Sequence, residues 1–308
     1  MKVIGIGNAI IDVLCKVEEN FLIENNLIKG SMKLIDENNL NNLLNKIKIE
    51  QVISGGSAAN TIFGLAKLGN KVGFIGKVNN DEFGKKYEKG LIDENIDFIF
   101  SKKKEKLATG TCLILITPDS ERTMCTFLGI AGKINEKDID IDKIKDSKIS
   151  FLEGYLWDKG EPKKAFDKVI SNSNLSVMSL SDIFCVERHK DSFLNLVRNK
   201  LDIVFANEGE IMALINTKKF EDVISFSKEI NKLIVITRGE KGSVAINGTN
   251  ITECSAEKNL KIIDLTGAGD LFAAGFLHNY MKKDSIKDCL LNATKLSSLI
   301  IQKYGARI

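Results

Sequence analysis

The segment DLTGAGDLFAAGF, residues 264–276, carries the strongest chemical signal in the chain. Gly267, Ala268 and Gly269 are small enough for the backbone to turn tightly and open a helix, whose first N–H groups then point outward at the positive end of the helix dipole. Such an end binds anions. Asp270 follows at once, and a carboxylate there can take a proton from a hydroxyl while the amides stabilise charge on a transferring phosphoryl group. Read alone, a Gly-rich turn of this kind is more often a plain helix cap, with Asp270 as a favourable first-turn acid.

Other stretches offer complementary groups. In GGSAANTIFGLAKLG, residues 55–69, Gly55 and Gly56 permit close backbone approach to a ligand, and the Asn60 amide can donate and accept towards sugar hydroxyls. Without a partner this is a helix start capped by Ser57. NEGE, residues 207–210, places Asn207 and Glu210 on one face if a helix begins there, suited to a hydrated Mg²⁺ held through its waters or simply to a polar capped start. Asp12 reads as the end of the first strand, where a carboxylate can accept two hydrogen bonds from a vicinal diol. TRGEKG, residues 237–242, offers Thr237 and backbone N–H groups to a polyphosphate. Phe127 and Phe184 are candidates for stacking on a base, although Phe in an apolar run is more often core.

These groups need a scaffold that gathers strand ends and helix starts. Short β-branched runs alternate with helical patterns, the sequence form of an α/β protein with a largely parallel sheet. The spacing predicts strands over Val3–Gly7, Val72–Gly76, Ile149–Leu152, Leu175–Leu180, Ile203–Ala206 and Leu233–Thr237. It predicts helices over Ala58–Leu68, Lys163–Ser171, His189–Asn199, Phe220–Ile230 and Ala268–Lys282. Val13–Asp36 and Phe98–Phe127 instead read as extended segments with turns, fitting a small β lid inserted into the core. The expected division is a core of residues 1–12, 37–97 and 128–308 and a lid of 13–36 and 98–127. Lys102–Lys106 reads as a solvated turn.

Composition narrows the field. The 308 residues hold 44 Lys plus Arg against 41 Asp plus Glu, a net charge of +3, too even for a dedicated nucleic-acid binder. No apolar run approaches the roughly 18 residues of a membrane span, and the first residues read as structure rather than a signal peptide. Six scattered cysteines without a CxxC pair, and two histidines, speak against zinc or a disulfide framework and point to the reducing cytoplasm. Competing templates fail: Ile10 stands where a dinucleotide fingerprint wants its third glycine, no GK[ST] exists, and GGSAA lacks the closing glycine of a nucleophile elbow.

The paired stretches GGSAANTIFGLAKLG and DLTGAGDLFAAGF, with NEGE and TRGEKG between them, resemble the signatures of the ribokinase-like (PfkB) family of carbohydrate and nucleoside kinases. Within it, GKVNNDEFGK (76–85), ATGTCLILITPDSERTMCTFLG (108–129), LEGYLWD (152–158) and SDIFCVERH (181–189) look like the bacterial adenosine kinase-like branch. The resemblance implies a Rossmann-type three-layer α/β core with a β-sheet lid, and ATP-dependent phosphorylation of a primary hydroxyl. It implies Asp270 as base, Gly267, Ala268 and Gly269 as anion hole, and Asp12, Gly56 and Asn60 as sugar-diol contacts. Asn207 and Glu210 match the element that organises Mg²⁺ and phosphate. Arg122 is similar to an arginine brought from the lid to the phosphates, and Thr237, Gly239, Gly242 and Asn292 fall near the nucleotide pocket. Asp264 and Thr266 match positions that hold K⁺ in some relatives. Leu265 and Ile62 are bulkier than the usual residues there.

The resulting expectation is a cytoplasmic kinase, monomer or homodimer, that uses ATP and Mg²⁺ to phosphorylate the 5′-hydroxyl of a ribosyl substrate, adenosine giving AMP. Its partners would be that small molecule and ATP, with neither nucleic acid nor membrane. The alternatives are a kinase for a free sugar such as ribose or a fructose derivative, and a non-catalytic nucleoside- or sugar-binding regulator. An NAD-dependent oxidoreductase is disfavoured by Ile10.

Overall fold

A strand buried on both faces sends successive side chains into two different cores. Val3, Val72, Phe74, Ile149, Phe151, Val177, Ile203 and Val235 feed one apolar cluster, while Ile4, Ile6, Ile75, Leu152, Met178, Val204 and Ile234 feed another. The computed structural model describes residues 2–100, 105–158 and 162–307; within the Lys102–Lys106 turn only 105 and 106 fall among them.

The strands are β1 Val3–Ile6, β2 Ile10–Lys16, β3 Met32–Leu34, β4 Gln51–Ser54, β5 Val72–Ile75, β6 Ile96–Phe98, β7 Gly110–Ile116, β8 Arg122–Phe127, β9 Ile149–Glu153, β10 Ser176–Ser179, β11 Ile203–Asn207, β12 Leu233–Thr237, β13 Ser243–Asn247 and β14 Asn250–Cys254. The helices are α1 Glu19–Glu24, α2 Glu37–Leu44, α3 Ser57–Lys67, α4 Glu82–Ile92, α5 Ile141–Lys145, α6 Pro162–Ile170, α7 Ile183–Arg188, α8 Lys190–Asn199, α9 Glu208–Ile215, α10 Phe220–Ile230, α11 Ala268–Met281 and α12 Ile286–Ile300.

Nine strands form one sheet in the order β14-β13-β12-β11-β10-β9-β1-β5-β6, parallel throughout except for the β12–β13–β14 meander at its edge. Helices α3, α11 and α12 pack on the first cluster, and α6, α8, α9 and α10 on the second, which gives the expected three α/β layers. The order switches between β9 and β5 around β1, so the C-terminal end of β1 opens a crevice where ligands bind in folds of this kind.

A smaller, five-stranded sheet, ordered β3-β8-β7-β2-β4, packs Ile11, Val13, Cys15, Leu113 and Leu115 into the first apolar cluster. Its extent corrects the expected boundaries. It takes β2 from Ile10 and also β4, which pairs antiparallel with β2. The segment 13–36, expected to be extended, contains α1, a six-residue helix with only Leu22 buried. The first strand also stops sooner than expected. The chain bends after Ile6, so Asp12 lies within β2 of the smaller sheet rather than at the end of β1.

Candidate active site

Two helices build the centre of the crevice. Ser57, Asn60 and Gly64 share one face of α3, and Asp270, Leu271 and Ala274 share the facing side of α11. A Cβ on Gly64 would lie 2.8 Å from both Ala274 Cβ and Leu271 Cδ1, so the glycine lets the helices approach closely. That approach brings Ser57 Oγ within 2.7 Å of Asp270 Oδ1 and Asn60 Nδ2 within 3.1 Å of Asp270 Oδ2, both as donors. Loss of solvent raises the Asp270 carboxyl to about 6, and these two donors hold it from rising further.

The turn before Asp270 has the expected form. Gly267 caps α11 at φ 78°, a left-handed conformation, and any Cβ there would meet Ala306 Cα at 2.7 Å. Only glycine fits that spot. On the far side of the turn a cavity of about 880 Å³ is lined by Thr237, Gly239, Gly242, Leu265, Ala268 and Gly269, among others. Its size suits a nucleotide. The TRGEKG turn lines this cavity through Thr237 and residues 239–242, whereas Asn292 does not: its Nδ2 donates to Gly275 O and Asn279 Oδ1, bridging α11 and α12.

Asp12 reaches the same crevice from the smaller sheet. Burial pushes its carboxyl up to about 7, opposed by the positive charges of Arg307 and Arg122 and aided by nearby Asp270. Gly55 and Gly56 prove to make room for the protein's own groups. A Cβ on Gly55 would lie 2.2 Å from Asp12 Oδ2, and one on Gly56, at φ 97°, 2.3 Å from Asn8 O.

Arg122, the first residue of β8, places Nη1 2.8 Å from Asp264 Oδ2, and its Nε and Nη2 are buried without a partner among the described residues. Asp264 also accepts from Gly305 N on Oδ2 and from Thr266 N and Oγ1 on Oδ1. A carboxylate has about four acceptor positions. All are taken, one by a cation, so the expected K⁺ site at Asp264 and Thr266 does not fit the residues present.

Asn207 and Glu210 form a capping box at the start of α9: Asn207 Oδ1 accepts from Glu210 N, and Asn207 N and Nδ2 donate to the Glu210 carboxylate. Burial raises Glu210 to about 7, and Asp182 and Asp270 add to the shift. No cluster of three or more metal-ligating side chains exists among the described residues. Of the proposed stacking groups, Phe127 is core, and Phe184 stands 69% exposed on α7.

Four residues were missed. Asn8 is buried, and apart from its approach to the Glu153 carboxylate its side-chain amide has no partner among the described residues; it sits in a strand-like run that gave no sign of the bend. Glu153 ends β9 and accepts from Asn8 N and Ala58 N, each at 2.7 Å, clasping the β1 and α3 ends together. Burial raises it to about 7. Ser57 was read only as a cap, although its spacing from Asn60 was the available signal. Arg307 donates through Nε to Asn60 Oδ1 at 3.4 Å, and no local pattern marks it.

The profile of the "pfkB family carbohydrate kinase" matches residues 26–308. A 5-dehydro-2-deoxygluconokinase of Clostridium beijerinckii is 27% identical over 268 residues, covering 82% of this chain and 79% of that protein. The solved adenosine kinase of Sinorhizobium meliloti superposes with a TM-score of 0.92 at 34% identity, covering 100% of this chain and 95% of the other. A probable sugar kinase of Rhizobium etli gives 0.90, also at 34%, over 99% and 94%. The architecture is therefore ribokinase-like. The chain belongs to the pfkB family of carbohydrate kinases and is a phosphotransferase acting on a hydroxyl group of a sugar or nucleoside.

Proposed function

We propose that the protein transfers the γ-phosphoryl group of ATP to the 5′-hydroxyl of a ribosyl acceptor, adenosine giving AMP. The observation that carries this reading is the position of the Gly267–Gly269 turn, between a nucleotide-sized cavity on one side and the Asp270 and Asp12 carboxylates on the other. In this account Asp270 takes the acceptor's hydroxyl proton, Asp12 and Asn60 hold its diol with Asn8 beside them, and the turn N–H groups stabilise charge on the phosphoryl group. Mg²⁺, when bound, neutralises polyphosphate charge, with Asn207 and Glu210 as its outer contacts. The smaller sheet acts as a lid that excludes water and carries Asp12 and Arg122. Six buried free thiols suit a reducing, cytoplasmic setting.

Adenosine is favoured by the 34% identical adenosine kinase, which matches the chain from end to end. A second reading, phosphorylation of a free sugar or sugar acid, is favoured by the curated relatives named 5-dehydro-2-deoxygluconokinase. ADP release from purified protein with Mg²⁺-ATP and a panel of adenosine, other nucleosides, ribose, fructose and 5-dehydro-2-deoxygluconate separates them. Turnover of a sugar with none of adenosine overturns the first reading. ATP and acceptor binding without any turnover would leave a binding protein.

A further inference from the structure

An asparagine amide has a donating and an accepting end, and an active site needs each turned the right way. Asn60 Nδ2 faces the Asp270 carboxylate, which when ionised can only accept. Its Oδ1 faces Arg307 Nε, which donates only. With an acceptor at one end and a donor at the other, only one orientation of the amide is satisfied. A flip would set Oδ1 against the carboxylate and the amide hydrogens against a guanidinium.

Arg307 is itself held in place. Its guanidinium lies 4.8 Å above the Phe63 ring, one helical turn from Asn60 on α3. The residues before it are anchored to the site at successive points. Tyr304 Oη bonds to Ser120 Oγ in the turn before β8, Gly305 N donates to Asp264, and Ala306 presses on Gly267. The segment 304–307 thus touches the smaller sheet, the anion turn and the acceptor helix in order.

We infer that Arg307 is a positioning residue, whose Nε fixes the Asn60 amide with its donating end on Asp270 and so sets the geometry in which the acceptor hydroxyl meets its base. The inference rests on the kinase reading of this crevice but not on the acceptor's identity. Arg307 acts from 247 residues away in sequence, and among the described residues no hydrogen bond or ion pair links it to Asp270 or to the Gly267–Gly269 turn. It also contributes the largest positive charge effect on Asp12, among the groups facing that carboxylate: Arg307, Arg122 and Asp270.

The test is a double-mutant cycle on the purified enzyme, using whichever acceptor the panel shows to be turned over. Absence of any turnover by the wild-type protein counts against the kinase reading alone. With turnover in hand, Arg307→Ala is expected to lower kcat/KM for the acceptor about tenfold or more, while the KM for ATP stays within twofold. Arg307→Lys keeps the charge but not the Nε geometry, and should recover only part of the loss. Measured at pH 9, above the Asp12 titration so that the charge Arg307 adds there no longer matters, Arg307→Ala in an Asn60→Ala background should cost less than twofold, because the residue through which it acts is gone. Losses that multiply in the double variant overturn the inference, as does an Arg307→Ala enzyme with unchanged acceptor kinetics. Should Arg307→Ala fail to fold, the same cycle with Arg307→Lys decides, additive losses again overturning it.

Discussion

Arg122 Nη1 lies 2.8 Å from Asp264 Oδ2, and both side chains are nearly sealed from water, so the first residue of β8 is tied to the loop that opens α11. An exposed arginine on a turn would contribute little; this one is neither exposed nor idle. Removing one partner of a buried pair typically costs roughly 3 to 5 kcal/mol, since it strands the other charge. Arg122→Ala is therefore expected to lower the unfolding temperature. It should also depress kcat more than it weakens binding, if the unpartnered Nε and Nη2 serve the transferring phosphoryl group. Kinetics at saturating ATP and acceptor check the second effect: an unchanged kcat in a folded variant removes Arg122 from the chemistry.

Asp270 receives hydrogen bonds on both carboxylate oxygens, so its replacement by an isosteric amide keeps shape while removing the base. Asp270→Asn should lose about 10² to 10⁴ in turnover while ATP affinity changes little. Calorimetric titration with ATP beside a coupled assay measures both, and near-normal turnover would refute the assignment.

For Asp12, a contact made before and during transfer contributes mainly to ground-state affinity. Asp12→Ala is expected to raise the acceptor KM far more than that for ATP. Equal rises in the two would mark Asp12 as a structural support.

Titration offers a check that needs no mutation. Asp270 stands at about 6 and Asp12 at about 7, and both act as carboxylates in the proposed reaction. The negative charge of Asp270 adds to the rise at Asp12. Acceptor kcat/KM should therefore rise with pH across 5 to 8 before levelling, and a profile flat over that range would contradict it.

Stability should run the other way. Asp12, Glu153, Glu210 and Asp270 all have carboxyls raised above their ordinary 3.8 or 4.5. The folded protein then binds protons that the unfolded chain has released, so the stabilisation is complete below about pH 4 and is lost as pH climbs through 6 to 7. Considering these four groups, the melting temperature of the ligand-free enzyme should fall between pH 5 and 8. Other carboxylates that titrate lower in the range leave this window untouched.

The core was legible because its periodicities are long and consistent. Leu233–Thr237 and Phe220–Ile230 were read with their observed limits, since a five-residue β-branched run and an eleven-residue amphipathic pattern each admit one reading. α1 was missed because ENFLIE buries one side chain and offers no second turn to establish a period. β4, with a mostly half-exposed pattern, gave no sign that it belongs to the smaller sheet. Asp270, Asn60 and Glu210 were legible because glycines and caps surround them in short motifs. Arg307 and Glu153 were not, since each matters through a contact that the fold creates across 247 or 145 residues. K⁺ at Asp264 was an expectation of type and place that failed on stoichiometry: the carboxylate had no lone pair left to give.

The clasp of Glu153 on Asn8 and Ala58 has a mechanical corollary. It welds the last residues before β2 to the first turn of the helix after β4, so two of the crossings between the sheets, β1 to β2 and β4 to α3, start from one fixed block, while the chain also crosses between β6 and β7 and after β8. Any motion of that sheet would be the swing of a lever about a short axle at Ile10 and Gly55, which are joined by the Gly55 N–H to Ile10 O bond. Asp12 rides on the lever, while Asn60 and Asp270 stay with the block. A distance between labels on β7 and α11 that stayed constant on acceptor binding would argue against such a swing. If the lever turns, the gap between the carboxylate that grips the acceptor and the one that deprotonates it is set by the same stroke, and gripping and aiming become a single movement.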